Sequence, residues 1–265
     1  DLITAQAFGA RTFYSCIVAN DKMGDLFYQG LVDMGVDTNL NAHNRAAGTT
    51  GRCLVKITPD AERTMCTHLG ITQTYSIQEI QEEALIHSDY LYIEGYLVAS
   101  DSARAACVAA KHIADSHHTK TAMTLSDASM ITYFKEGLLT MIGHGVDLLF
   151  CNESEAKLFC GTETLEQTTE ALKKYAKTFA VTLGSKGALV YDGQTSMIIP
   201  AEPVKVINTV GAGDVFAGAF LYAITHGLNY TQAGRLANKA AGKIVTLLGP
   251  RLTRAQCLAI LANDA

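Results

Sequence analysis

The run Asn208-Thr209-Val210-Gly211-Ala212-Gly213-Asp214 narrows most sharply what this chain can fold into. It stands between a β-type segment, residues 203–207, and an apolar stretch that reads as a helix from Val215, with Phe216, Ala219, Phe220 and Ala223 on one face and Gly227 as its stop. A strand that feeds a helix through small residues is the repeating step of an α/β fold. Gly211, Ala212 and Gly213 leave their backbone N–H groups pointing outward at an anion, and the positive end of the helix dipole adds to the pull. Asp214, at the rim, is badly placed to bind phosphate and well placed to take a proton from a hydroxyl that attacks one. The pattern predicts phosphoryl transfer to an alcohol. As a bare turn, the same residues read as a tight bend with Asp214 as helix cap. Ala217 and Gly218 predict close packing of the helix against the sheet.

Length and charge exclude several classes. A chain of 265 residues, 48% of them hydrophobic, suffices for one α/β domain with a small appendage. Net charge −5, with no basic run, argues against nucleic acid as a partner, because that binding needs a cationic surface. No apolar stretch has the length of a membrane span, and no signal-peptide pattern opens the sequence. The seven cysteines, an odd number without a Cys-x-x-Cys pair, read as reduced thiols, and the expectation is a cytoplasmic protein with no metal held by cysteine.

Further acidic and amide residues fall where open sheets place ligands. Segment 2–8 reads as a helix closed by Gly9, segment 11–19 as a strand, and residues 20–25 as a turn into a helix ending at Met34. Runs 53–58 and 63–69, joined by Pro59-Asp60-Ala61-Glu62, read as a hairpin on which Arg63 is a substrate contact or an exposed charge. Glu94 follows a strand at 89–93, and Asp127 a strand at 121–125, with helix 101–116 between them; each is a ligand group or a cap. Asn152 and Glu155, after strand 147–150, share one face of a first helical turn and match a capping box. Strand 179–183 enters Gly184-Ser185-Lys186-Gly187 and returns at 188–191, with Asp192-Gly193 as the next turn. A helix capped by Thr231 carries Asn238 and ends before Gly249-Pro250.

Taken in this order, the Gly-Ala-Gly-Asp run with its helix, the hairpin, Asn152-x-x-Glu155, Thr182-Leu183-Gly184-Ser185-Lys186-Gly187 and Asn238 resemble the PfkB, or ribokinase-like, family of sugar and nucleoside kinases. The segment Pro59 to Met65 looks most like adenosine-kinase-like bacterial members. The resemblance implies a ribokinase-like three-layer α/β/α core from residues 1–38 and 71–265, with a β-sheet lid from 39–70. It also implies that an N-terminal strand and an acceptor-binding segment belong before residue 1. ATP and Mg2+ are the implied cofactors, and a small sugar or nucleoside the implied acceptor, with a second copy docking through the lid. Asp214 would be the base, assisted by the N–H groups of Gly211, Ala212 and Gly213. Asn152, Thr182, Gly184, Ser185, Lys186, Gly187, Thr209 and Asn238 would hold the nucleotide, Glu155 the Mg2+ through water, and Asp214 and Glu94 the acceptor. A monovalent cation, K+, would sit by Asn208, Val210, Ile244, Leu247, Gly249 and Thr253; many members have Asp where this chain has Asn208, so its hold on K+ should be weak. The rivals are a dehydrogenase, for which no Gly-x-Gly-x-x-Gly is present, and a non-catalytic nucleotide-binding regulator on the same fold.

Overall fold

The computed structural model describes residues 1–43, 45–57 and 63–262. Helix α1 (Leu2–Phe8) ends at Gly9 as expected. Strand β1 (Phe13–Tyr14) is followed by helix α2 (Lys22–Met34) and pairs in parallel with β2 (Asp37–Thr38). The strand expected over 11–19 shrinks to those two residues because side chains capture the backbone beyond Tyr14. The N–H and carbonyl of Cys16 bond to the Asn39 amide, and the Ala19 N–H donates to Thr50 Oγ1. The hairpin forms from β3 (Arg52–Ile57) and β4 (Arg63–His68), antiparallel with Leu54 opposite Cys66. Its turn, 59–62, and the side chain of Arg63 lie outside the described residues.

After the short helix α3 (Glu82–Ile86), strands and helices alternate. They are β5 (Tyr90–Ile93), α4 (Asp101–Ser116), β6 (Lys120–Thr124), α5 (Ala128–Ile142), β7 (Val146–Asn152), α6 (Glu153–Cys160), α7 (Leu165–Leu172) and β8 (Ala176–Thr182), then the hairpin β9 (Ala188–Tyr191) and β10 (Ser196–Ile199). Three helices close the chain: α8 (Ala212–Thr225), α9 (Tyr230–Ile244) and α10 (Arg254–Ala262). The sheet order is β10-β9-β8-β7-β6-β5, with β5 to β8 parallel and the last hairpin antiparallel.

Period two along the strands divides the core into two layers. Leu148 and Phe150 of β7 point to one face, where α1, α8 and α9 pack; Leu149 and Cys151 point to the other, against α5, α6 and α7. This is the ribokinase-like three-layer arrangement.

Four sequence expectations need correction near the Gly211 turn. Residues 203–207 form no strand: Val204, Val206 and Ile207 are exposed and have no sheet neighbour to pack on, so their β propensity is not realised. Helix α8 starts at Ala212 rather than Val215, because Gly211 turns the chain with φ 78. Gly218 does not close on the sheet; a Cβ there would stand 2.1 Å from the carbonyl oxygen of Asp1, so it admits α1 instead. Asn229, not Thr231, caps α9, exchanging hydrogen bonds with Gln232.

Candidate active site

The left-handed backbone of Gly211 caps α8, and Gly213 and Asp214 of its first turn are exposed. Among the described residues the N–H groups of Gly211 and Gly213 have no backbone acceptor. Ala212 departs from expectation, since its N–H turns back to the Thr209 carbonyl at 3.3 Å. The Asp214 N–H, also without a backbone acceptor, takes its place in the cradle. Thr209 is exposed beside this turn.

Asp214 lies in the first turn of α8, one helical turn before Gly218. Because Gly218 lets Asp1 approach, the Asp1 carboxylate reaches the same point, and oxygens of Asp1, Glu94 and Asp214 lie within 4.8 Å of one another. Glu94 stands just past β5, and Ser126 Oγ donates to its Oε2 at 3.4 Å. Ser126 adopts φ 68, a backbone state uncommon for a residue with a Cβ. Burial first, then the Asp214 carboxylate, push the Glu94 pKa up to about 7. A proton on Glu94 relieves the crowding of the three acids. Asp127, the other candidate of this type, is a helix cap, its Oδ1 accepting from the Ser129 N–H at 2.8 Å.

The raised Glu94 pKa gives a stability test. Below about pH 4.5 both native and unfolded chains hold the proton; between 4.5 and 7 only the native state does, so stability falls as pH rises through that window. Glu94→Gln is therefore expected to be more stable than the parent at pH 8 by about 1–2 kcal/mol, after discounting for partial exposure, with the gain vanishing near pH 4. Chemical denaturation at the two pH values checks it; an equal gain at both would mean that the Glu94 charge is not its cause.

On the neighbouring strand ends, β7 and β8 place Asn152 opposite Thr182. Asn152 and Glu155 form a full capping box: Asn152 Oδ1 accepts from the Glu155 N–H at 2.9 Å, and Glu155 Oε2 from the Asn152 N–H at 3.0 Å. Asn152 Nδ2 donates to Glu155 Oε1 at 2.5 Å, and Glu155 is buried. With both oxygens engaged, Glu155 suits a hydrated Mg2+, met through water, better than direct coordination. The loop after Thr182 is closed by the Leu183 N–H donating to the Gly187 carbonyl at 2.8 Å. Gly187 has φ 100, and a Cβ there would stand 2.0 Å from the Ile199 carbonyl oxygen. Gly184 also has positive φ, Ser185 and Lys186 are exposed, and the Lys186 charge is near enough to Glu153 to help hold its carboxyl below the usual range, after the larger effect of Lys157. Asn238 is buried and gives its Nδ2 to the carbonyls of Ile199 and Pro200, at 2.9 and 3.3 Å, so its amide donor pins β10 to α9.

The hydroxyl pKa of Tyr92, on β5, is raised well above the ordinary value, by burial first and then by the charges of Glu94, Asp214 and Glu155. The sequence gives no local signature for Tyr92 or Asp1, an aromatic in a strand and an acid at a helix start, so neither is legible there as a site residue. Of the expected cation residues, Asn208 Oδ1 accepts from the Val210 N–H at 2.9 Å, and the Val245 carbonyl, just after Ile244, accepts from the Ile207 and Asn208 N–H groups. Leu247 and Gly249 lie in the loop that continues to Pro250, which abuts Gly211, and Thr253 Oγ1 accepts from the Gln256 N–H at the start of α10.

The fold has counterparts among solved structures. A crystal structure of adenosine kinase from Sinorhizobium meliloti superposes with TM-score 0.92 at 30% identity, over 97% of this chain and 80% of that one. A probable sugar kinase from Rhizobium etli gives 0.93 at 29% identity, over 100% and 81%. Ribokinase from Lactococcus lactis is 45% identical over 92 residues, 35% of this chain and 30% of that protein's length, so the match spans less than a third of that relative. The model of the pfkB family carbohydrate kinases matches residues 2–256, and the chain belongs to that family.

Proposed function

We propose that the protein transfers the γ-phosphoryl of ATP to a hydroxyl of a small sugar or nucleoside. The observation that carries this reading is the Asp214 carboxylate at the mouth of the Gly211–Gly213 turn, on the first turn of α8 and within 4.8 Å of Glu94. The free N–H groups of Gly211, Gly213 and Asp214 take up charge that grows on the transferred phosphoryl. Asp214 receives the hydroxyl proton, and Glu94, whose raised pKa keeps a share of it protonated at neutral pH, donates a hydrogen bond to the acceptor in that form. Asn152, Glu155 and the Thr182–Gly187 loop face the nucleotide side. Mg2+, when bound, shields the phosphate charge, and Glu155 would orient its waters.

A nucleoside acceptor is favoured by the adenosine kinase likeness at 30% identity, and a pentose by the ribokinase match. The test is ADP release by the full-length protein with ATP and, in turn, adenosine, cytidine, D-ribose and D-fructose. Turnover with one class assigns it. ATP binding with no turnover on any of them would replace the kinase reading with that of a nucleotide-binding regulator.

Glu155→Gln keeps one oxygen and loses charge beside the nucleotide, so half-maximal activity should need several-fold more Mg2+. If the capping box were the whole role of Glu155, about 0.5–2 kcal/mol of stability would be lost instead, with unchanged Mg2+ dependence. Asn208 supplies an oxygen without the full charge worth roughly 1–4 kcal/mol at contact. K+ is therefore expected to stimulate little, and Asn208→Asp to restore stimulation. Initial rates against KCl at constant ionic strength check this; saturable activation of the parent at low millimolar K+ would overturn it.

A further inference from the structure

Arg251 is a cation beside the Gly211 turn. Its backbone is held on both sides. Pro250 presses on Gly211, where a Cβ would stand 2.7 Å from the Pro250 carbonyl oxygen and 3.2 Å from its Cα. On the other side Leu252, 2% exposed, is buried in the core shared by α8 and α9. Gly249, at φ 106, makes the bend that brings this short segment to the turn. The side chain is free by contrast: Arg251 is exposed and makes no hydrogen bond or ion pair among the described residues. Its charge is felt at Tyr14, whose hydroxyl pKa burial, Cys16, Glu94 and Tyr75 raise and Arg251 lowers. Arg251 thus stands beside the cradle.

We propose that Arg251 is a catalytic residue that donates its guanidinium fork to the phosphoryl group in transfer, completing the cradle beside the Gly211 and Gly213 N–H groups. This rests on the phosphotransferase reading above. The oxygen of the acceptor hydroxyl forms its bond to the γ-phosphorus while the bond from that phosphorus to the β,γ-bridging oxygen breaks. The electron pair leaves with ADP, and the hydroxyl proton passes to Asp214. Arg251 makes and breaks no covalent bond; it meets the non-bridging oxygens, for which a planar, always charged fork is matched in a way that a lysine is not. An anionic substituent on the acceptor is the poorer partner for this cation, because Asp1, Glu94 and Asp214 crowd acids on that side.

An arginine in this role is worth about 10³–10⁵ in rate where it acts from a partner protein. In the full-length protein, Arg251→Ala is expected to lower kcat by about 10²-fold or more, with KM for ATP within three-fold of the parent and Tm unchanged. Millimolar guanidinium should restore part of the rate, which a merely structural role would not allow. Arg251→Lys, kept as a second variant should the first fail to fold, should still lose about ten-fold. A separate arm needs no acceptor: aluminium fluoride should tighten binding of MgADP by the parent, and Arg251→Ala should lose that gain. A kcat within three-fold of the parent, or an undiminished fluoride gain, overturns the proposal. If the parent turns over none of the acceptors and shows no fluoride gain, the phosphotransferase reading itself falls, and Arg251 with it.

Discussion

Asp214→Asn in the full-length protein is expected to bind MgATP with an unchanged Kd and to transfer phosphoryl about 10²-fold or more slowly. The substitution keeps the side chain's size on the first turn of α8 and removes only the site that accepts a proton. The groups proposed for the nucleotide, Asn152, Glu155 and the Thr182–Gly187 loop, lie on other strand ends and are untouched. Asp214 is exposed, so its loss should leave Tm nearly unchanged. Single-turnover rates beside equilibrium binding separate the two effects. Turnover within a few-fold of the parent would remove the base assignment, and weakened ATP binding would move Asp214 to the nucleotide side.

Gly211→Ala should be as damaging by another route. At φ 78 an L side chain is strained, and its Cβ would stand 2.7 Å from the Pro250 carbonyl oxygen, so either the turn or the 249–251 loop must shift. A shift of the turn withdraws the N–H donors of Gly211 and Gly213, and loss of one such donor costs about 10²–10³ in kcat. The strain itself should cost about 1–3 kcal/mol. Turnover and chemical denaturation measured together test this. Parent-like kcat with reduced stability would mean that the turn is structural and carries none of the transferred charge. Gly213→Ala is the control, because its Cβ meets nothing within 4 Å.

Elements whose signals are local can be read directly from the amino-acid order. The Gly-Ala-Gly-Asp turn, the Asn152–Glu155 capping box, helix α4 over Asp101–Ser116 and the alternation that places Glu94 at a strand end depend on neighbours within a turn or two. Gly187 was legible as a loop glycine for the same reason, though not that Ile199 leaves no room for a Cβ. Whatever depends on which strands lie side by side emerges only when the chain is folded. Residues 203–207 carry β propensity but find no sheet partner, and Asn238 gives its amide to β10 and the residue after it, 38 and 39 residues away in sequence. Asp1 joins Glu94 and Asp214 only because Gly218 lets α1 approach α8, and Pro250 brings Arg251 to the cradle only because Gly211 leaves room for it. A carboxylate's position in the chain says nothing of the charge beside it across a cleft. That is why the acid whose pKa reaches about 7, Glu94, looked in the sequence no different from Asp127, which only caps a helix.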